Sequence, residues 1–349
     1  MLARGIVLAA QGSVTPDPMP NTPHAGAIAQ VQAKPLPIRS PFASRFADTG
    51  FRGVIVLCAL SVLAIVVLIA WQLIVHSELS LKQFGLKFFF SSDWDPVSGE
   101  FGALPFVFGT IVSSMLALVI AVPLSVAAAV FITEMCPGWL KTPLSFLMEL
   151  LAAIPSVIYG LWAIFILAPI LRTYVEPFLG KYFAWTGLFS GPTYGIGMLA
   201  AGIILAIMIV PIVSSITREV MTAVPQQQRE AVLALGATRW EMIRTGVLRN
   251  ARTGIIGGVI LGLGRALGET MAVTMVIGNR AEIAKSLFAP GYTMASVIAN
   301  EFSEATDNLY LSAIIEIGLA LFLVTLIVNI IAQGLVWAST RGMPARAQG

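Results

Sequence analysis

Charged residues are scarce in this sequence. Of its 349 residues, 11% are charged and 57% are hydrophobic, and the mean hydropathy is +0.86. Soluble domains usually carry about 25% charged residues. The scarcity of charge therefore excludes an ordinary soluble domain and predicts a polytopic membrane protein.

The sequence also has little with which to build a catalytic or metal site. Its two cysteines, Cys58 and Cys136, fall on the cytoplasmic half of the topology deduced below, where a structural disulfide is not expected. Its two histidines, His24 and His76, form neither a zinc-binding cluster nor a Ser–His pair. No Gly-x4-Gly-Lys-Ser/Thr phosphate-binding loop occurs, so we expect no ATP hydrolysis and no cofactor in this chain.

Long stretches without charge predict the membrane-spanning helices, since a helix needs about 20 apolar residues to cross the hydrocarbon. Five such stretches lie between Arg52 and His76, Glu100 and Glu134, Glu149 and Arg172, Lys181 and Arg218, and Glu316 and Arg341. A sixth, from Arg252 to Arg280, is apolar except for Arg265 and Glu269. Six spans place both termini on the same side of the membrane.

The distribution of basic residues predicts which side that is. With the N-terminus in the cytoplasm, fourteen Lys and Arg residues fall inside, six fall outside and Arg265 lies within the membrane. The positive-inside rule therefore favours cytoplasmic termini and a cytoplasmic segment 218–252, with Ser77 to Gly102 and Gly278 to Leu309 on the opposite side. The net charge of +3 reflects this topology and gives no support for nucleic-acid binding.

These patterns predict an all-α fold with five regions. The first fifty residues hold seven prolines and little apolar periodicity, which is typical of a disordered segment. We predict a disordered cytoplasmic tail (1–50), a first transmembrane helix (51–76), an extracytoplasmic loop (77–103), a helical core (104–340) with its cytoplasmic loop at 218–252, and a short cytoplasmic tail (341–349).

The cytoplasmic loop carries the clearest local signals. Pro225 is suited to the first turn of a helix, and Gly236 can end that helix with a positive φ. Thr238 followed by Glu241 predicts a capping box, in which each side chain accepts a hydrogen bond from an exposed backbone N–H. The loop is predicted to form two short helices joined at a glycine. An ordinary basic loop lying on anionic headgroups is the alternative interpretation.

Several motifs carry a resemblance to a known family. Glu230-Ala231, followed by Gly236-Ala237, is similar to the EAA coupling loop of importer-type ABC permeases. Three further blocks resemble the phosphate-importer permeases of that family, and the resemblance runs from about the second span to the C-terminus. These blocks are AIPSVIYGLW (Ala153 to Trp162), GLGRALGETMAVTMVIGN (Gly262 to Asn279) and ANEFSEA (Ala299 to Ala305).

The resemblance implies a type I ABC importer permease fold of six transmembrane helices. It places the chain in the plasma membrane, which is the inner membrane if the cell is Gram-negative. It implies a transporter subunit for inorganic phosphate, not an enzyme. The implied partners are a second permease subunit, two ATPase subunits that bind the ATP, an extracytoplasmic phosphate-binding protein and membrane lipid. Glu230, Ala231, Gly236 and Ala237 are then the ATPase-coupling residues. The family's loop usually ends in Leu-Pro, whereas here Leu248 is followed by Arg249.

Arg265 and Glu269 stand out because they are charges in an apolar segment. On a continuous helix, at about 100° per residue, they share one face with Gly254, Gly258 and Gly262. Small residues four apart let a neighbouring helix approach closely, and charges in a membrane face a bundle interior or a wet cavity. We therefore expect this face to point inward.

The pair has two interpretations. It can be an internal salt bridge that fixes helix packing, or Arg265 can provide the forked donors that a passing oxyanion needs, with Glu269 holding it in place. The resemblance favours the second, because these positions match the charged pair of phosphate permeases. Another oxyanion, an anion-sensing scaffold without transport and a secondary transporter are the alternative functions. Thr270 and Thr274 point away from Arg265 and are predicted to be packing residues.

Other polar groups near the spans give weaker signals. Glu149 and Glu316 flank predicted spans and are interpreted as interfacial or helix-end charges rather than pathway groups. Ser156 and Tyr159 are candidates for lining the path, but both residue types are also common in bundle packing.

Overall fold

The computed structural model describes residues 41–340, with side chains described for residues 49–337. This part of the chain is helical and contains no β-strand, only isolated bridges between Asp95 and Glu100 and between Gly278 and Gly291. The predicted all-α class is confirmed. Residues 1–40 of the predicted N-terminal tail and the predicted tail 341–349 lie outside the described residues.

The N-terminal half of the described chain contains two long helices and several short ones. The helices are α1 (Pro41–His76), α2 (Glu78–Phe84), α3 (Leu104–Val130) and α4 (Gly138–Ala153). A 3-10 helix, Gly85–Phe89, follows α2, and a π-helical turn, Phe131–Met135, extends α3. Because α1 already begins at Pro41, residues 41–50 are helical, although the sequence placed them in the tail. Proline is suited to a first helical position, and no proline follows within α1.

The next spanning segment is built in pieces. It comprises α5 (Ser156–Trp162), α6 (Ala168–Ile170) and α7 (Glu176–Phe183), joined by the π-helical turns Ala163–Leu167 and Leu171–Val175 and ended by a 3-10 turn, Ala184–Thr186. Pro155 separates α4 from α5. The span predicted between Glu149 and Arg172 is therefore misplaced: it starts at Ser156 and continues past Arg172 to Thr186.

The remaining helices form the second half of the bundle and its loops. They are α8 (Met198–Thr222), α9 (Gln226–Ala234), α10 (Arg239–Glu241), α11 (Arg249–Leu267), α12 (Met271–Val276), α13 (Met294–Glu301) and α14 (Asn308–Thr340). A π-helical segment, Met242–Leu248, joins α10 directly to α11. The chain therefore runs helically from the cytoplasmic loop into α11, as the missing proline after Leu248 allows.

Five helical segments within residues 41–340 are long and apolar enough to cross a membrane. They are Thr49–His76, Leu104–Met135, Ser156–Thr186, Met198–Thr222 and Asn308–Trp337. The sixth predicted span corresponds to α11 and α12, which are separated at Gly268, Glu269 and Thr270. A continuous helix through Glu269 was predicted wrongly, because α11 ends at Leu267 with Gly268 as its C-cap.

The chain divides between Leu63 and Ala64 into two units. The described part of the first unit is the beginning of α1, whose described side chains are exposed. The second unit holds the core, which has three apolar clusters. The largest joins α3, α5, α8 and α12, the second joins the start of α3 to α13 and α14, and the third joins the ends of α3 and α8 to the segment 242–251.

The third resembling block lies beside the second cluster, against which Ala305 packs. Glu301 in α13 accepts hydrogen bonds from the Trp94 Nε1–H at 2.9 Å and from the Tyr310 hydroxyl at 2.8 Å. Trp94 also packs edge-on against Phe101. Burial raises the pKa of the nearby Tyr292 hydroxyl above its usual range. The block 299–305 therefore holds the segment before α3 against α14.

Candidate functional site

Arg265 and Glu269 are brought together, but loosely. The Arg265 Nη2 lies 4.0 Å from the Glu269 Oε2, and within residues 49–337 the guanidinium forms no hydrogen bond. The Arg265 side chain is 40% exposed, whereas that of Glu269 is 8% exposed. The Glu269 Oε1 instead accepts the Ala272 N–H at 3.4 Å, at the start of α12, where the helix dipole favours a negative charge. The guanidinium donors of Arg265 thus remain available to another group.

The glycine face of α11 allows the close approach of a neighbouring helix, as the sequence predicted, and that helix is α8. A Cβ added at Gly262 would lie 2.8 Å from methyl carbons of Ile209 and Val213, and one added at Gly254 would lie 2.5 Å from Val220. At Gly258 the same atom would lie 3.1 Å from Ile216. Only glycine allows α11 to approach α8 so closely, and this contact fixes the rotation of α11.

A second face of α11 is not covered by this chain. Gly257 and Gly264 have no atom within 4 Å of a position that a Cβ would occupy, and Leu261 is exposed between them. Arg265 and Gly268 continue this exposed face toward α12, so within this chain Arg265 does not share the packed face of Gly258 and Gly262 as the sequence predicted. Three small residues and a charge therefore lie on one open side of α11.

The remaining polar residues around the pair are satisfied locally. The Thr274 hydroxyl donates to the Thr270 carbonyl at 2.7 Å, as in a packed helix. The Tyr159 hydroxyl donates to the Leu151 carbonyl at 2.8 Å, which connects α5 to the end of α4 across Pro155. Tyr159 is buried and lies within electrostatic range of Arg265, and Ser156 begins α5. Tyr159 thus has a structural bond at the edge of the site.

The cytoplasmic loop has the predicted local geometry. Pro225 precedes α9, and Gly236 has a φ of +84°, a conformation that favours glycine. The Thr238 hydroxyl accepts the Glu241 N–H at 3.3 Å, while the Glu241 Oε2 accepts the Thr238 N–H at 2.8 Å. The hydrogen bonds that the Thr238 N–H and the Thr238 hydroxyl donate to the Glu241 carboxylate lower the pKa of that carboxyl. The two-helix loop and its capping box are confirmed.

The four residues assigned to ATPase coupling lie around the tip of this loop. Glu230 and Ala231 are exposed on α9, Gly236 is exposed at the turn, and Ala237 is half-buried. Sequence reasoning missed two neighbouring apolar side chains, Leu235 at 88% and Trp240 at 61% exposure. Large apolar residues exposed beside a polar loop are typical of a protein-binding surface.

A further missed pair lies at the base of the loop. The Arg229 Nη2 lies 3.1 Å from the Glu134 Oε1, and both side chains are mostly buried. The two residues are far apart in the sequence, so no local pattern predicts their contact. The cavity beside them, about 720 Å³ in volume, is also lined by Lys141, Arg239 and Trp240.

The two glutamates that the sequence placed at span ends differ in the structure. Glu149 is exposed near the end of α4 and lies 3.1 Å from Arg218. Glu316 is instead fully buried within α14, because that helix begins upstream at Asn308. Neither carboxylate oxygen of Glu316 has a hydrogen-bond partner among the described residues, and the buried Ser80 hydroxyl is likewise without one. The helix-end interpretation of Glu316 is therefore wrong.

Comparison with known proteins identifies the family. A family model described as "Binding-protein-dependent transport system inner membrane component" matches residues 121–337. The chain belongs to this family. Among curated relatives, the phosphate transport system permease protein PstC of Mesorhizobium japonicum is 46% identical over 295 residues, covering 83% of this chain and 90% of the relative. PstC of Haemophilus influenzae is 42% identical over 299 residues, covering 84% and 95%.

A solved structure agrees with this family assignment. A chain of a bacterial ABC transporter involved in the import of the acidic polysaccharide alginate aligns with a TM-score of 0.58 at 14% identity, covering 85% of this chain and 99% of that one. At this identity the likeness concerns the fold alone. The predicted ABC importer permease fold is confirmed, while the count of six spanning helices is not. The chain is thus a multi-pass membrane component of a transport system that depends on a binding protein.

Proposed function

We propose that this chain is the permease subunit of an ATP-driven ABC importer and that it moves inorganic phosphate across the plasma membrane. The observation that carries the proposal is the position of Arg265, a loosely paired arginine on an open face of a membrane helix. The relatives named above, which are called phosphate transport permeases and match most of the chain, support phosphate as the substrate.

The chemistry of the pair suits a passing oxyanion. A guanidinium offers forked donors that match two phosphate oxygens, and at 4.0 Å from Glu269 its donors are not engaged. Glu269 still lies close enough to compensate the positive charge when the site is empty. Conduction needs binding that is weak enough for release, and a nearby carboxylate weakens the hold on an anion.

The open face requires a second chain. An arginine exposed to hydrocarbon is costly, and small residues such as Gly257 and Gly264 allow close helix contact. A second permease subunit packed against this face covers Arg265 and completes the pathway between the two subunits. A lipid-facing arrangement leaves the partly exposed guanidinium against hydrocarbon, with only the loose contact to Glu269.

The cytoplasmic loop is the coupling element in this proposal. Glu230, Ala231, Gly236 and Ala237 dock on one of two ATPase subunits, which bind and hydrolyse the ATP, with Leu235 and Trp240 adding apolar contact area. An extracytoplasmic phosphate-binding protein delivers the substrate to the opposite side. This chain itself carries out no reaction.

Uptake in a defined system tests the proposal. The chain is reconstituted with its second permease subunit, ATPase subunits and binding protein in liposomes, and labelled phosphate uptake is measured with ATP and with a non-hydrolysable analogue. Phosphate accumulation only with ATP is expected. Accumulation of a different oxyanion but not phosphate would assign another substrate, and phosphate binding without accumulation would indicate a sensing scaffold.

Both termini are placed in the cytoplasm by this proposal, supported by the fourteen-to-six distribution of basic residues. A single cysteine at Thr238 is expected to react only after permeabilisation, whereas one at Val97, which is 96% exposed, is expected to react with an impermeant reagent from outside. Labelling of the Thr238 cysteine in intact cells would reverse the topology.

A further inference from the structure

The helix α9 has little apolar attachment to the rest of the molecule. It contains no buried residue, and its side chains Leu233 and Glu230 are exposed. Val232 packs against the chain at Gly246, within the π-helical segment. If a movement of α9 is to reach the membrane helices, it therefore needs contacts stronger than this one apolar contact.

Arg229 provides that connection to α8. Its Nη1 donates to the Val224 carbonyl at 2.6 Å, and its Nη2 donates to the Met221 carbonyl at 2.8 Å. The Met221 carbonyl lies in the last turn of α8 and the Val224 carbonyl lies two residues beyond its end, where the helix dipole attracts a positive charge. One guanidinium on α9 thus caps the end of α8.

The same guanidinium also reaches the end of α3. Its Nη2 donates to the Glu134 Oε1 at 3.1 Å, in the π-helical turn that extends α3. The Arg229 side chain is 14% exposed and that of Glu134 is 8% exposed. Charge-assisted hydrogen bonds at such a poorly hydrated position are stronger and more directional than those at a surface.

From α8 the connection continues to the site. The glycine face of α11 packs directly against α8 at Ile216 and Val213, and Arg265 lies in the last turn of α11. A second polar link joins α9 to α11, because the Asn250 amide donates to the Gln228 Oε1 at 3.1 Å. Gln228 and Arg229, which are adjacent on α9, therefore form hydrogen bonds at the cytoplasmic ends of α3, α8 and α11. These three helices contribute to the third apolar cluster.

We propose that Arg229 is a positioning residue that transmits movement of α9 to the inner ends of α3 and α8, and through α8 to Arg265. The inference rests on the proposed function, since it assigns a role within ATP-driven transport. Glu134 orients the guanidinium so that the Met221 and Val224 carbonyls are both engaged. When Arg229 loses this geometry, ATP hydrolysis and phosphate movement become uncoupled.

The test uses the complete reconstituted transporter and measures phosphate uptake and ADP formation in the same samples. Arg229→Lys keeps the charge but places all donors on one nitrogen, so it cannot span the three acceptors as the fork does. We expect the ratio of phosphate transported to ADP formed to fall roughly tenfold, as for the loss of a charge-assisted hydrogen bond. Glu134→Gln is expected to give a smaller fall of the same kind, because the two carbonyl bonds remain.

Arg218→Lys is the matched control. Arg218 also lies on the inner part of α8 and pairs with a glutamate at 3.1 Å, but its partner Glu149 is on α4 and not on the loop. Its transport ratio is expected to change less than about twofold, as for an ion pair whose carboxylate is exposed to solvent.

The outcomes separate the two claims. An unchanged ratio in both Arg229→Lys and Glu134→Gln would overturn the role of Arg229. Failure of both variants to assemble with the ATPase would also overturn it, because the pair would then be purely structural. If the unmodified transporter shows no ATP-dependent phosphate uptake, the proposed function itself fails.

Discussion

The Arg265 guanidinium and the Glu269 carboxylate lie 4.0 Å apart across the break between α11 and α12. Glu269 is buried and accepts the Ala272 N–H, whereas Arg265 is partly exposed. The carboxylate is thus held by the start of α12, while the arginine is held only by its own helix. This asymmetry distinguishes the pair from a closed salt bridge.

Arg265→Lys is expected to preserve expression and assembly but to lower phosphate uptake by roughly tenfold or more, since the charge stays while the planar fork is lost. Uptake in proteoliposomes measures the effect. Arg280→Lys is the control, because Arg280 is exposed and lies 3.9 Å from the exposed Glu282. Equal losses in both variants would remove the special role of Arg265.

The double variant Arg265→Glu with Glu269→Arg is expected to fold but not to transport normally. The exchange keeps the attraction between the side chains, but it places a positive charge at the start of α12, where the helix dipole opposes it. A pure salt bridge tolerates the exchange better. Near-normal uptake by the double variant would take Arg265 out of the pathway.

Identical substitutions on the two faces of α11 are expected to have opposite effects. Gly262→Ala places a Cβ 2.8 Å from Ile209 and Val213, and overpacking of this kind costs about 1–3 kcal/mol. Gly264→Ala meets no atom within 4 Å and gains helix propensity of about 1 kcal/mol. Thermal unfolding of the solubilised chain compares them. Similar midpoints would argue against close α8–α11 packing.

Gly236→Val is expected to abolish ATP-driven uptake while the chain still inserts, because the φ of +84° is strained for a β-branched residue. Gly236→Asn is the control, since asparagine tolerates this conformation. No atom lies within 4 Å of a Cβ added at Gly236, so the valine and asparagine variants do not differ by a clash with neighbouring residues. Copurification of the ATPase with each variant, beside uptake, measures the effect. Full uptake by the valine variant would show that the turn is not required.

Glu316→Met is expected to raise the free energy of unfolding by about 1–3 kcal/mol, because it removes two buried oxygen atoms that lack hydrogen-bond partners. Glu316→Gln keeps a polar group and is expected to stay close to the unmodified chain. Thermal unfolding in detergent measures both. A destabilised methionine variant would mean that the carboxyl has a polar partner in the membrane.

The features that local sequence could predict were those set by short-range geometry. The spacing of Gly254, Gly258 and Gly262 predicted a closely packed helix face, because helical periodicity alone fixes which residues align, but it did not identify α8 as the neighbour. Thr238 and Glu241 predicted the capping box, and Gly236 the turn, because each requires a particular residue type at one backbone position.

The features that were missed depend on contacts between distant segments. The helix break after Leu267 removes Glu269 from the helix, yet the pair still meets across the break. The start of α14 at Asn308 could not be read from charge gaps, since Glu316 is tolerated inside the bundle. Arg229 and Glu134 meet only because α3 and α8 end side by side, which no local pattern reveals.

The helix that carries Arg265 is not among the five segments that are long and apolar enough to cross a membrane. An arginine lowers the tendency of a helix to insert into the bilayer on its own, and the glycines of α11 add little to offset it. Met198–Thr222, in contrast, is long and apolar enough to cross a membrane by itself. We therefore expect α11 to enter the bilayer paired with α8. The glycine face that sets their packing in the finished protein is then expected to support the insertion of α11 as well.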